Sequence, residues 1–168
     1  MGIEISRKIN IKKYKNAILY FLKYCNNQHL GATKLNKLLY YFDFISFRDR
    51  KNSITGDKYI HKEFGPVPET IDFVLTDLQK EGSINVERIS IEEGKDFFKH
   101  ELLKDPDISA FDSYEQELLE NICKEFSIWS TAKIVEQTHL EAPWFYSKPY
   151  QEVDYNYSKD IDFFVKVK

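Results

Sequence analysis

Between Leu35 and Phe47 the chain encodes a helix with almost no polar face. Leu35, Leu38, Leu39, Phe42 and Ile45 recur at helical spacing along one stripe, and Tyr40, Tyr41, Phe44 and Phe47 make the other faces apolar as well. Thr33 is placed to cap this segment, which should run to about Arg48. A helix that is hydrophobic nearly all round has no side to offer to water, so the rest of the chain must enclose it. One residue disturbs the pattern. Asp43 lies inside the apolar segment, where an unpaired carboxylate would cost several kcal/mol. Its candidate donors are Lys34, Lys37 and the polar groups around Thr55-Gly56-Asp57, and the reading adopted is that Asp43 ties that loop to the central helix. The alternative is a narrow strip facing solvent, since unpaired Asp is rarely buried.

The rest of the chain reads as elements to wrap this rod. Asn10 can cap a first helix with Ile11, Tyr14, Ile18, Phe21, Leu22 and Cys25 on one face and lysines on the other. Gly31 breaks the chain before the central helix. Residues 49 to 64 predict an irregular loop with a short extended piece, and Gly65-Pro66-Val67-Pro68 reads as the start of a third helix, because proline fixes φ and lacks an amide donor. That helix carries Ile71, Val74, Leu75 and Leu78 and stops at Gly82. Ser83 to Leu103 predicts a β-hairpin turning at Glu92-Glu93-Gly94. Ser113 and Gln116 suggest a capping box for a helix with Leu118, Leu119, Ile122 and Phe126. Ser130 caps a further helix to about Leu140, and Ser158 to Phe164 predicts a last short helix or edge strand. The fold class expected is α+β, a mainly helical single domain spanning 1–168 with a small antiparallel hairpin.

Net charge is -3, but its distribution is uneven. Residues 1 to 64 hold 13 basic against 5 acidic side chains, and residues 65 to 168 hold 11 against 22. Such polarity either steers a charged partner or draws the two halves together during folding. Cys25 and Cys123 lie in helical apolar patterns outside any CxxC pair, so each is expected to pack in the core without a disulfide or zinc ribbon. No apolar run is long enough to span a bilayer and no signal-peptide pattern is seen, which points to a cytoplasmic protein.

Signatures of catalysis are sparse. His61-Lys-Glu63 and His139-Leu-Glu141 resemble the start of a zinc-deaminase motif, yet the paired thiolates that chemistry needs are absent. There is no HExxH, phosphate-binding glycine loop or nucleophile elbow. No catalytic residue, metal ligand or cofactor is therefore assigned, and a metal-dependent or hydrolytic enzyme is the weakest reading. Residues 113 to 140 can be drawn as a helix-turn-helix, but Glu136 and Glu141 suit a DNA groove poorly.

Three motifs carry more. They are Lys37-Leu-Leu-Tyr-Tyr-Phe-Asp43-Phe, then Ile54-Thr-Gly-Asp57-Lys-Tyr59 leading to Gly65-Pro-Val-Pro68, and Thr138-His139 followed by Pro143-Trp144. In this order and spacing they resemble the phage-associated, bacterial SocA/Panacea antitoxin-like domains. The resemblance implies an antitoxin that binds a toxin directly, the toxin being encoded by an adjacent gene. Some relatives instead act as adaptors that deliver a toxin to a bacterial protease. The chain shows no added DNA-binding or protease-tethering segment, so sequestration is the first choice. Thr55, Asp57, Tyr59, His61, Phe64, Pro66, Pro68 and Trp144 are the candidate partner-binding residues, on a rim built from rigid loops. Lys37, Asp43, Gly56, Gly65, His139 and Pro143 are assigned an architectural role, with helix capping and ring packing the plainer account of His139 and Trp144.

Overall fold

The computed structural model describes residues 8–25 and 30–165. Its axis is the second helix, α2 (Ala32–Arg50), in which every residue from Lys34 to Ser46 except Asn36 is buried. The helix begins earlier than expected. Gly31, with extended backbone, is the N-cap because its carbonyl accepts the amide of Leu35 at 3.0 Å. Thr33 therefore lies inside the first turn and does not cap it.

Around α2 pack α1 (Ile11–Tyr24), α4 (Ser113–Phe126) and α5 (Thr131–Leu140), with the short α6 (Ala142–Phe145) following. Asn10 Oδ1 accepts the amide of Lys13 and Ser130 Oγ that of Lys133, each at 3.1 Å, so both expected caps form. The capping box of α4 is displaced by one residue from the expected Ser113 and Gln116. Asp112 accepts the amide of Glu115 at 2.8 Å and Glu115 accepts that of Asp112 at 2.9 Å. The buried Glu115 carboxylate also receives Lys13 Nζ at 2.8 Å, a cross-link to α1 that favours this register.

Cys25 and Cys123 form a disulfide, which corrects the expectation of two independent core thiols. Cys25 follows the end of α1 and Cys123 lies in the last turn of α4. Both helices rest on α2, and that brings two Cα atoms separated by 98 residues to 5.1 Å, within bridging range.

The expected hairpin is present as β3 (Ile84–Glu92) and β4 (Lys95–Leu102), paired from Ile84 opposite Leu102 to the turn. A second hairpin was not foreseen. β1 (Tyr59–Lys62) pairs with β2 (Gly65–Pro68), so Gly65 to Pro68 is a strand, and α3 (Ile71–Lys80) starts only after Thr70. The prolines fit because of register. Pro66 and Pro68 oppose His61 and Tyr59, whose own backbone groups turn the other way and bond the C-terminal tail: His61 N donates to Gln151 O at 2.9 Å and Val153 N to Tyr59 O at 2.7 Å. The tail thus covers the free edge of β1. It continues against α2 as a 3-10 helix at Tyr155–Asp160, which overlaps the expected Ser158 to Phe164 element at its start and takes the helical form of the two expected there.

One hydrophobic cluster runs from Tyr14 to Ile161, and the fold is mainly helical α+β. The charge asymmetry is used internally: Lys13, Lys15, Lys23 and Arg50 pair with Glu115, Asp77 and Glu81, Asp105, and Asp112. Among the described residues no helix is long and apolar enough to cross a membrane.

Candidate partner-binding site

The polar groups of the central helix each hold a different connection. Lys34 Nζ donates to Ser127 O and Trp129 O, at 3.1 and 2.8 Å, just past the end of α4. There the outward-facing carbonyls favour a cation. Asp43 turns to the loop before β1. Its Oδ1 accepts the amides of Ile54 and Thr55, both at 2.8 Å, and Oδ2 accepts the hydroxyls of Thr55 and Tyr59, both at 2.6 Å. Neither lysine reaches it. Burial raises the Asp43 pKa to about 6 against the lowering effect of these four bonds.

Asp57 continues the network one turn further along the loop. Its Oδ2 accepts the Tyr14 hydroxyl at 2.7 Å and the Thr70 amide and hydroxyl at 2.9 and 2.6 Å, linking α1 to the start of α3. Gly56, between Thr55 and Asp57, has φ +80, and a Cβ there would run into the Lys8 backbone carbonyl. Only glycine suits both demands.

Beneath β2, the fully buried Lys37 donates to Pro66 O at 2.9 Å. Burial without a carboxylate partner pushes its pKa down to about 7. Gly65 has φ +105, and a Cβ would come within 2.6 Å of Lys37 Cε and 2.7 Å of Thr138 Oγ1. The hairpin can therefore seat on α2 and α5 only with glycine at this position.

Trp144 closes the site. Its ring stacks between His61 and His139, with centroids at 4.1 and 4.0 Å, and its Nε1 donates to Lys62 O at 2.9 Å. The imidazoles come from β1 and α5, so the indole bolts the hairpin to the α5–α6 corner. Burial lowers the pKa of both histidines. His61 Nδ1 lies 2.7 Å from Ser147 Oγ, whereas His139 Nε2 has no hydrogen-bond partner among the described residues. Pro143, at the N-terminal end of α6, is buried at the same corner. Glu141, absent from the sequence-derived site, is its hub: Oε1 accepts Tyr40 at 2.9 Å, and Oε2 accepts Tyr41 at 3.0 Å and Gln137 at 3.1 Å. Burial raises its pKa to about 7. A carboxylate one residue beyond a helix, with two tyrosines in the central segment, was the only sequence signal that could have found it.

The structure brings the sequence-derived residues into one region but grades their access. Thr55, Asp57, Tyr59, His61, Pro66 and Pro68 are buried, Trp144 is half-buried, and Phe64, in the β1–β2 turn, is 59% exposed. Beside the hairpin a groove of about 340 Å³ is lined by Leu35, Ile60, Val67, Pro68, Ile71 and Leu75. The same helix α3, whose Ile71 and Leu75 line the groove, carries Phe73, 68% exposed, outside that lining. No group of three His, Cys, Asp or Glu among the described residues could hold a metal ion.

The family model for the antitoxin SocA-like Panacea domain matches residues 35–145, from the first turns of α2 to the end of α6. The chain belongs to this family. No curated protein and no solved structure shows a significant match. The matched span contains Lys37, Asp43, the β1–β2 hairpin, Glu141 and Trp144, so this Panacea domain has its pins and its rim inside the family region. Its role is antitoxin-like, and its partner class is protein.

Proposed function

We propose that this Panacea domain neutralises a toxin, encoded by an adjacent gene, by binding it directly through the β1–β2 rim and the groove beside α3. The observation that carries this reading is the placement of two exposed phenylalanines, Phe64 and Phe73, on elements whose backbones are fixed by buried polar networks. Large rings on a rigid support bind with little ordering cost, and aromatic side chains dominate binding hot spots. Thr55, Asp57, Tyr59, His61, Pro66 and Pro68 shape this surface from beneath, and Trp144 holds it to α5. The role is sequestration without catalysis, in the cytoplasm, by one domain covering residues 1–168.

Co-expression of the neighbouring open reading frame tests it. Growth is rescued by the wild-type chain and lost with a Phe64→Ala/Phe73→Ala double variant of unchanged melting temperature. Equal toxicity with and without the chain would remove the neutralisation reading. Rescue that depends on a cellular protease, with a shortened toxin half-life, would instead assign the adaptor role.

A further inference from the structure

A second surface includes Glu141 in its lining, and it does not depend on the rim reading. Here Leu140, Phe145 and Tyr146, each more than half exposed, border a recess of about 430 Å³ between the α5–α6 corner and the tail. The apolar patch is continuous, since the Phe145 and Tyr146 rings are 5.2 Å apart and Tyr146 stacks on Tyr157 at 5.4 Å. Exposed apolar patches of this kind mark contact surfaces. Besides the neutral Gln137, the polar lining is acidic: Glu141 is nearly buried in it, Asp160 and Asp162 are exposed on it, and among the described residues no Lys, Arg or His lines it. Among the described residues neither Asp160 nor Asp162 makes an ion pair or a side-chain hydrogen bond.

We propose that this recess docks an arginine side chain, flanked by an apolar residue, from a protein partner. A neutral occupant would strip water from the exposed carboxylates of Asp160 and Asp162 and return nothing, whereas a cation compensates them. Arginine fits better than lysine because its planar guanidinium can stack on the exposed rings while bonding carboxylates two at a time. Consistent with surplus negative charge, Asp162 adds to the burial that raises the Glu141 pKa.

The probe is N-acetyl-Phe-Arg-amide, titrated into the isotopically labelled full chain and followed by amide chemical shifts. Its control is the same dipeptide with neutral citrulline in place of arginine. The arginine probe shifts the Leu140, Phe145 and Tyr146 amides saturably, and the citrulline probe binds about 10-fold more weakly, the loss expected for one charge-assisted bidentate contact. Asp160→Asn/Asp162→Asn, at exposed positions, produces a similar loss at unchanged melting temperature. Equal binding of both probes, or no response to either, overturns the proposal. So do shifts of the same amides caused only by removing residues 166–168, which would give the recess to the chain's own end, or only by raising protein concentration, which would give it to a second copy.

Discussion

The Tyr59 hydroxyl donates to Asp43 Oδ2 at 2.6 Å, so the first strand of the rim hangs directly from the only acidic side chain in the buried part of α2. Removing that donor in Tyr59→Phe should cost about 1.5–3 kcal/mol, the usual contribution of a hydrogen bond to a charged group. Asp43→Leu leaves the Ile54 and Thr55 amides without an acceptor and should cost at least about 3 kcal/mol. Asp43→Asn should be milder than leucine, because the Thr55 and Tyr59 hydroxyls can rotate to accept from an amide. Urea unfolding of the three variants checks the order, and an Asp43→Leu protein as stable as wild type would contradict it.

Lys37 should give the protein a pH-dependent stability above neutrality. Its pKa is lowered from the usual 10.5 to about 7, so between these values the unfolded chain binds more protons than the folded one. Its contribution is complete above about pH 10.5 and is lost as pH falls through 7, with a slope of up to about 1.4 kcal/mol per pH unit between them. Asp43 and Glu141 act with opposite sign: raised to about 6 and 7, their contributions are complete below about pH 4 and are lost as pH climbs through those values. The stability difference between wild type and Lys37→Met should therefore shift in favour of wild type from pH 7 to 10. A difference that stays flat across this range refutes the assignment.

Gly65→Ala should be among the more damaging single substitutions, because it meets a left-handed backbone and two close neighbours together. A loss of about 2–4 kcal/mol is expected, with the β1–β2 amides the first to lose hydrogen-exchange protection. Gly82→Ala is the control: φ is +76 there, but nothing lies within 4 Å of the added Cβ. Equal losses at both positions would show that steric crowding at Lys37 and Thr138 contributes nothing.

Reduction of the Cys25–Cys123 disulfide should lower stability by about 2–5 kcal/mol, since the bridge closes a loop of 98 residues. The fold should survive, because both side chains are nearly buried among α1, α2 and α4 and still pack there as thiols. Melting with and without a thiol reductant measures the loss, and retained far-ultraviolet circular dichroism in the reduced state checks the second half. Since a reducing cytosol disfavours such bonds, thiol counting on protein quenched inside cells also tests the proposed compartment.

What was legible in advance was local. The apolar periodicity of α2, the caps at Asn10 and Ser130, and the β3–β4 turn depend on residues within a few positions of each other, where helical or strand geometry follows from the chain itself. The capping box slipped by one residue because Asp112 and Glu115 are as good a pair as Ser113 and Gln116, and Lys13, a hundred residues earlier, favours the former. The β1–β2 hairpin was hidden by its prolines. They break most strands, and they are admitted here only because the ladder register leaves their missing amides unneeded.

The sequence by itself determined that α2 had to be enclosed and that Asp43 required donors or water, because an apolar rod and a lone carboxylate each impose a cost that any fold must meet. Only the tertiary structure decided which groups answered: Thr55 and Tyr59 for Asp43, Pro66 for Lys37, Tyr40 and Tyr41 for Glu141, and Cys123 for Cys25. The reason is distance along the chain. Hydrogen bonds and disulfides act over a few ångströms, and the packing of helices around α2 sets which distant residues come within that reach.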